Sequence, residues 1–193
     1  MTWLLCDYGE VLSLPQPQAD REAIESVVQE TGPAFWASYW NHRRAYDRGD
    51  VTAKDYWTAV LGSCPTSTHL EAIVQSDAAS WLHPNPLSLH AALRAAQRGL
   101  RLAILPNAPL EIANSIDSRD WLAEFSPCLF SCSLGRVKPE PAAYLAALNA
   151  LQARPDDVVF LDDRLENVVA ARTIGMRAEV FTDPVQFDSV QPL

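Results

Sequence analysis

The sequence predicts an α/β fold, a Rossmann-like parallel sheet with helices on both faces, plus an inserted all-helical segment. Two observations carry that prediction. Short apolar runs, Trp3 to Cys6, Leu102 to Leu105 and Val158 to Leu161, recur between stretches of helical period, and parallel strands need such crossover helices. Between the first run and the rest, residues 13–84 carry helical periods and no strand pattern.

Taken in order, Trp3 to Cys6 is a buried strand that stops at an acid and a glycine, Asp7 and Gly9. In the insert, Ile24, Val27 and Val28 share one face. Phe35, Trp36, Tyr39 and Trp40 share another, and Tyr56, Trp57, Val60 and Leu61 a third. Thr52-x-x-Asp55 and Thr68-x-x-Glu71 have the form of capping boxes that open two of about four helices. Asn85 and Pro86 then form an N-cap and first-turn pair, and Gly99 marks that helix's stop. Leu102 to Leu105 is the second strand, followed by a helix from Pro109 with Ile112 and Ile116 on one side. Cys128 to Ser131 is a weaker strand. Pro141 begins a helix marked by Tyr144, Leu145, Leu148 and Leu151. Val158 to Leu161 is the clearest buried strand; a helix ending near Gly175 and a strand around Ala178 to Phe181 complete the series. The expected organisation is a core of residues 1–12 and 85–193 interrupted by a helical cap, 13–84.

A formal net charge of −9 over 193 residues speaks against a nucleic-acid partner, because a phosphate backbone demands a basic face. No segment approaches the roughly 20 apolar residues that span a bilayer, so no membrane partner is expected. Cys6, Cys64, Cys128 and Cys132 form no CxxC pair and have no histidine at zinc spacing, which favours buried, reduced thiols and a cytoplasmic setting. The N-terminal run is too short for a signal sequence and lacks a basic start. Four of the six tryptophans, Trp36, Trp40, Trp57 and Trp81, fall in the insert; most are expected in its core, the alternative being an apolar pocket. Arg43 and Arg44 read as a solvated helix face.

In a doubly wound sheet, ligands bind beyond the carboxyl ends of the strands. Here those ends carry Asp7, Pro106-Asn107, the loop from Ser131 to Lys138, and Asp162-Asp163. A carboxylate at the end of the first strand can attack phosphorus, forming an acyl phosphate that water then hydrolyses. An anion attacking an anion needs nearby positive charge: Lys138 supplies an ammonium, and Asp7, Asp162 and Asp163 supply hard oxygens that suit Mg²⁺ better than zinc.

The chain resembles the haloacid dehalogenase (HAD) superfamily over nearly its whole length. Leu4 to Leu12 is similar to its first motif, Leu102 to Ala108 to its second, Gly135 to Pro141 to its third, and Val159 to Asn167 to its fourth. The insert sits where the family's C1-type cap does, as in the subgroup that includes sugar-phosphate phosphatases of the glucose-1-phosphate type. The resemblance implies that Asp7 is nucleophile and metal ligand and that Gly9 offers its carbonyl to Mg²⁺. It implies that Lys138 steadies Asp7 and the phosphoryl group, and that Asp163 binds metal directly, with Asp162 direct or one shell out. Asn107 and Ala108 would present donors to phosphate, and the substrate would be a small phosphorylated metabolite.

The chain departs from the pattern at two positions. Gly9 stands where the family carries a second aspartate that protonates the leaving group, and Pro106 where it carries a serine or threonine that bonds phosphate. A proline offers neither hydroxyl nor amide hydrogen. The alternatives are therefore a noncatalytic or weakly active ligand-binding protein and, with less support, a metal-independent dehalogenase.

Overall fold

A computed structural model describes residues 2–191. Its elements run β1 (Trp3–Cys6), α1 (Gln18–Val28), α2 (Gly32–Arg48), α3 (Ala53–Leu61), α4 (Ser67–Ser80), α5 (Pro86–Gln97), β2 (Arg101–Ile104), α6 (Leu110–Asp117), β3 (Phe125–Cys128), α7 (Ser131–Leu134), α8 (Pro141–Leu151), β4 (Val158–Asp162), α9 (Leu165–Thr173), β5 (Arg177–Val180) and α10 (Val185–Ser189). The strands form one parallel sheet in the order β3-β2-β1-β4-β5, the α/β architecture that the alternation predicts.

The central strand β1 pairs with β2 from Trp3↔Arg101 to Cys6↔Ile104 and with β4 from Trp3↔Val158 to Cys6↔Leu161. Its side chains alternate between two cores, as a strand period of two requires. Leu4 and Cys6 join Ala91, Ala92 and Ala95 of α5 and Ile112 and Ile116 of α6 on one face. Trp3 and Leu5 join Tyr144, Leu148 and Leu151 of α8 and Val168 of α9 on the other. Burying each large apolar side chain contributes roughly 1.5–3 kcal/mol, so covering both faces is what holds this short-stranded sheet.

Helices α1 to α4 enclose a third core of Ile24, Phe35, Trp36, Tyr39, Tyr56, Trp57 and Ile73. The two ends of the insert leave the sheet side by side: Leu14 N–H donates to His83 O at 2.7 Å, Asn85 N–H to Leu12 O at 2.8 Å, and Ser13 bridges Pro84. The C-terminal turn of α2 ties the insert to the sheet domain. Tyr46 Oη donates to Glu111 at 2.7 Å, Arg44 pairs with Glu140 at 2.7 Å, and Asp47 O accepts from Ser131 Oγ at 2.5 Å.

Several local expectations change. Thr52 and Asp55 do form a full capping box, but Thr68 lies inside α4, whose cap is Thr66, accepting from His69 N–H. The third strand is Phe125–Cys128 rather than Cys128 to Ser131. Pro127 reads as a breaker, yet β3 is an edge strand, where a missing N–H leaves no ladder bond unmade. All four cysteines are free, but Cys6 alone of them is buried, and Cys64 is exposed. No helix among the described residues is long and apolar enough to cross a membrane.

Candidate functional site

Asp7 follows β1, and its N–H continues the ladder by donating to Leu161 O at 2.8 Å. Asp162 ends β4, with Asp163 just beyond. Lys138 arrives from the loop between α7 and α8 and is buried to 3% exposure. Its Nζ stands 2.8 Å from Asp7 Oδ1 and 2.7 Å from Asp162 Oδ2. The sheet thus brings three sequence-predicted residues into one ion cluster. Asp163 completes it: one oxygen each of Asp7, Asp162 and Asp163 lie within 4.8 Å of one another.

The hydrogen bonds assign these carboxylates different tasks. Asp162 Oδ1 accepts from Arg164 N–H (2.9 Å) and Asn167 Nδ2 (2.8 Å), and its Oδ2 accepts from Lys138. With both oxygens committed, Asp162 acts through Lys138. Asp7 Oδ1 accepts from Tyr8 N–H at 2.7 Å as well as from Lys138, which commits one of its two oxygens. Asn167 and Ser131 are functional-site residues that sequence reasoning left without a role. Asn167 was visible inside the fourth motif; Ser131 carried no signal.

The Asn107 side chain and the Ala108 N–H meet partners within the protein. The Asn107 side chain donates to Lys138 O and accepts from Lys138 N–H, both at 2.9 Å. Its amide is therefore spent on holding the Lys138 backbone. The Ala108 N–H donates to Ser131 Oγ at 2.9 Å, so this hydroxyl, not a ligand, takes the donor in this arrangement. Pro106 lines the cleft and accepts Ser131 N–H through its carbonyl.

Three carboxylates share one buried ammonium, and the ionisation follows. Burial pushes the Asp7 carboxyl up to about 7; Lys138 pulls it down, and Asp162 and Asp163 push it further up. Asp163 is raised to about 6 by burial, then by Asp162 and Glu10, against a downward pull from Lys138. Burial works against the Lys138 charge, but Asp162 and Asp7 outweigh it and hold its pKa above the usual lysine range. The hard-oxygen set and its excess negative charge fit a divalent cation such as Mg²⁺. A carboxyl whose folded pKa exceeds its unfolded value binds more protons when folded, so stability falls as pH rises between the two. In EDTA the protein is expected to melt at lower temperature at pH 7.5 than at pH 5, and Mg²⁺ to raise the melting point more at pH 7.5. A melting point independent of pH across that window would count against this electrostatic account.

These residues open into a cleft of about 620 Å³, lined on the sheet side by Asp7, Gly9, Glu10, Asn107, Lys138 and Asp163 and on the insert side by Trp40, Arg43, Arg44, Asp47 and Trp81. A Cβ added at Gly9 would meet Trp81 Cζ3 at 3.5 Å, an ordinary contact, so an indole edge occupies the space beside position 9. The tryptophans divide evenly. Trp36 and Trp57 are in the core of the insert, whereas Trp40, 51% exposed, and Trp81 face the cleft. Arg43 is not on a solvated face: it is 6% exposed, paired with Asp47 at 2.7 Å and Asp77 at 3.5 Å, and donates to Tyr39 Oη.

Comparison with known proteins agrees with the fold. A HAD family enzyme of Bacteroides thetaiotaomicron superposes with a TM-score of 0.76 at 17% identity, covering 94% of each chain. A structure of that enzyme in complex with magnesium and inorganic phosphate superposes at 0.71. Mouse bifunctional epoxide hydrolase 2 is 38% identical over 96 residues, 46% of this chain and only 17% of that longer protein. Phosphoglycolate phosphatase 1 of Pseudomonas aeruginosa is 26% identical over 114 residues, 58% of this chain and 41% of that one. The model of one family, haloacid dehalogenase-like hydrolase, matches residues 12–175. With a match over most of its length and four motif segments converging on one sheet edge, the chain belongs to the haloacid dehalogenase-like hydrolases.

Proposed function

We propose that the chain is a magnesium-dependent phosphatase that hydrolyses a small phosphate monoester through Asp7. The observation that carries this reading is Lys138 Nζ, held between Asp7 and Asp162 at 2.8 and 2.7 Å with Asp163 alongside. In the first step an Asp7 oxygen attacks phosphorus and the bond from phosphorus to the ester oxygen breaks, leaving an aspartyl phosphate and releasing the alkoxide or phenolate. In the second, water attacks the acyl phosphate, returning Asp7 and inorganic phosphate. Lys138 orients Asp7 and neutralises phosphoryl charge as it transfers. Asp7, Asp163 and the Gly9 carbonyl would hold Mg²⁺, with Asp162 bracing Lys138. When bound, the ion supplies positive charge facing the phosphoryl oxygens, which eases the approach of one anion to another. The Asn107 backbone, rather than its side chain, is the expected phosphate donor. The insert, residues 13–84, acts as a C1-type cap over the site, excluding water from it.

A second reading has its own observation. Gly9 offers no acid, and Trp81 Cζ3 lies 3.5 Å from the position a Cβ would take there. Losing a positioned acid costs about 10²–10⁴-fold in rate, which suits a slow enzyme or a ligand-binding protein that keeps the fold. One assay separates the two readings. Purified protein with a panel of small phosphate esters is expected to release phosphate in Mg²⁺ and none in EDTA. No release from any ester, together with no Mg²⁺ binding by calorimetry, would favour the noncatalytic reading.

A further inference from the structure

The charges on the insert side of the cleft are already matched. Arg43 faces two carboxylates, Asp47 at 2.7 Å and Asp77 at 3.5 Å, and Arg44 pairs with Glu140 at 2.7 Å. Glu10 adds negative charge to the lining, where Glu166 is paired with Arg164. A leaving group bearing a carboxylate or a second phosphate finds no unmatched cation there. Arg43 also donates from Nε to Asp47 and from Nη1 to Tyr39.

The same wall offers flat apolar surface. Trp40 is 51% exposed although the other aromatic side chains of α2 are buried. It stands edge-to-face with Trp81, ring centres 6.3 Å apart and planes 86° apart, and edge-to-face with Tyr39 at 4.9 Å. Those two neighbours brace the indole against rotation. Trp81 reaches to 3.5 Å from the Cβ position of Gly9, so the aromatic pair begins at the loop that follows Asp7. Ile112 and Ile116 line the same cleft.

We propose that Trp40 and Trp81 form a stacking subsite that selects phosphate esters whose leaving group carries an uncharged planar ring, over saturated sugars and carboxylates. The inference rests on the phosphatase reading for the word leaving group, whereas the subsite itself is tested by binding. Offset or edge-on ring contacts give a preference of between about 2- and 10-fold over an aliphatic ring of similar size.

The experiment compares benzylphosphonate with cyclohexylmethylphosphonate by titration calorimetry on the whole protein in Mg²⁺. Benzylphosphonate is expected to bind between about 2- and 10-fold more tightly, and 2-carboxyethylphosphonate more weakly than either. Trp40→Leu should erase the ring preference and Trp40→Phe should keep it. Equal affinity for the two ring compounds, no binding of either, tighter binding of the carboxylate, or a preference that survives Trp40→Leu would each overturn the proposal. Turnover of the matching esters, benzyl and cyclohexylmethyl phosphate, is read separately. Absent release from both esters with the binding preference intact counts against the phosphatase reading for these substrates and supports the subsite.

Discussion

Asp7→Asn is expected to lower magnesium-dependent phosphate release by at least about 10⁴-fold, the scale seen when a nucleophile is removed from a catalytic unit. Asparagine retains an oxygen that can accept from Tyr8 N–H, as Asp7 Oδ1 does at 2.7 Å, so the loop after β1 keeps its shape. What is lost is the anion that attacks phosphorus. The substitution also removes one of three carboxylates crowded around Lys138. The variant's melting point at pH 7.5 in EDTA is therefore expected not to fall, and that separates lost chemistry from lost fold. Release that persists in a folded Asp7→Asn protein would move the nucleophile to another residue.

Lys138→Met is expected to give the largest stability change at the site. The Lys138 side chain is 1% exposed and its Nζ contacts Asp7 and Asp162. Removing one partner of a buried ion pair costs about 3–5 kcal/mol, because the other charges stay buried without compensation. At about 2–4 °C per kcal/mol for a chain of this size, melting should drop by roughly 6–20 °C at pH 7.5 in EDTA. The drop should shrink at pH 5, where the raised pKa of about 7 leaves Asp7 mostly protonated. Phosphate release should vanish with it. A loss equal at both pH values would mean that the methionine disturbs packing rather than charge.

Much of the frame was legible because β1, β2 and β4 are continuous apolar runs that end abruptly at polar residues, and a sheet covered on both faces demands that pattern. The same logic placed Asp7 and the Asp162-Asp163 pair at one edge. Lys138 was less legible: in sequence it is one lysine in a loop, and only the Gly-x-x-Lys-Pro context marked it. Its burial depends on Asn107, which holds its backbone from a different loop. Ser131 could not be found, since its partners Ala108 and Asp47 come from distant parts of the chain. Arg43 was read with Arg44 as a solvated helix face, and Asp47 four residues on is a spacing equally at home on a surface. The second carboxylate, Asp77, comes from α4 and turns the pair inward. β3 was placed three residues late, at Cys128 to Ser131 instead of Phe125–Cys128, because Pro127 interrupts its run, and no local rule says which strand will lie at an edge.

The first strand in the sheet's chain order lies in its middle, flanked by partners that begin at Arg101 and Val158. During synthesis Trp3 to Cys6 has no sheet partner until Arg101 and the residues after it are added. The helical insert comes next, and its main packings, α1 on α4 and α2 on α3, are made within its own residues. Once α1 to α4 pack and Leu12 meets Asn85, the insert closes into a loop with adjoining ends, and β2 follows within a short distance of β1. The insert is then also the jig on which the strand that leads to Asp7 waits for the rest of its sheet.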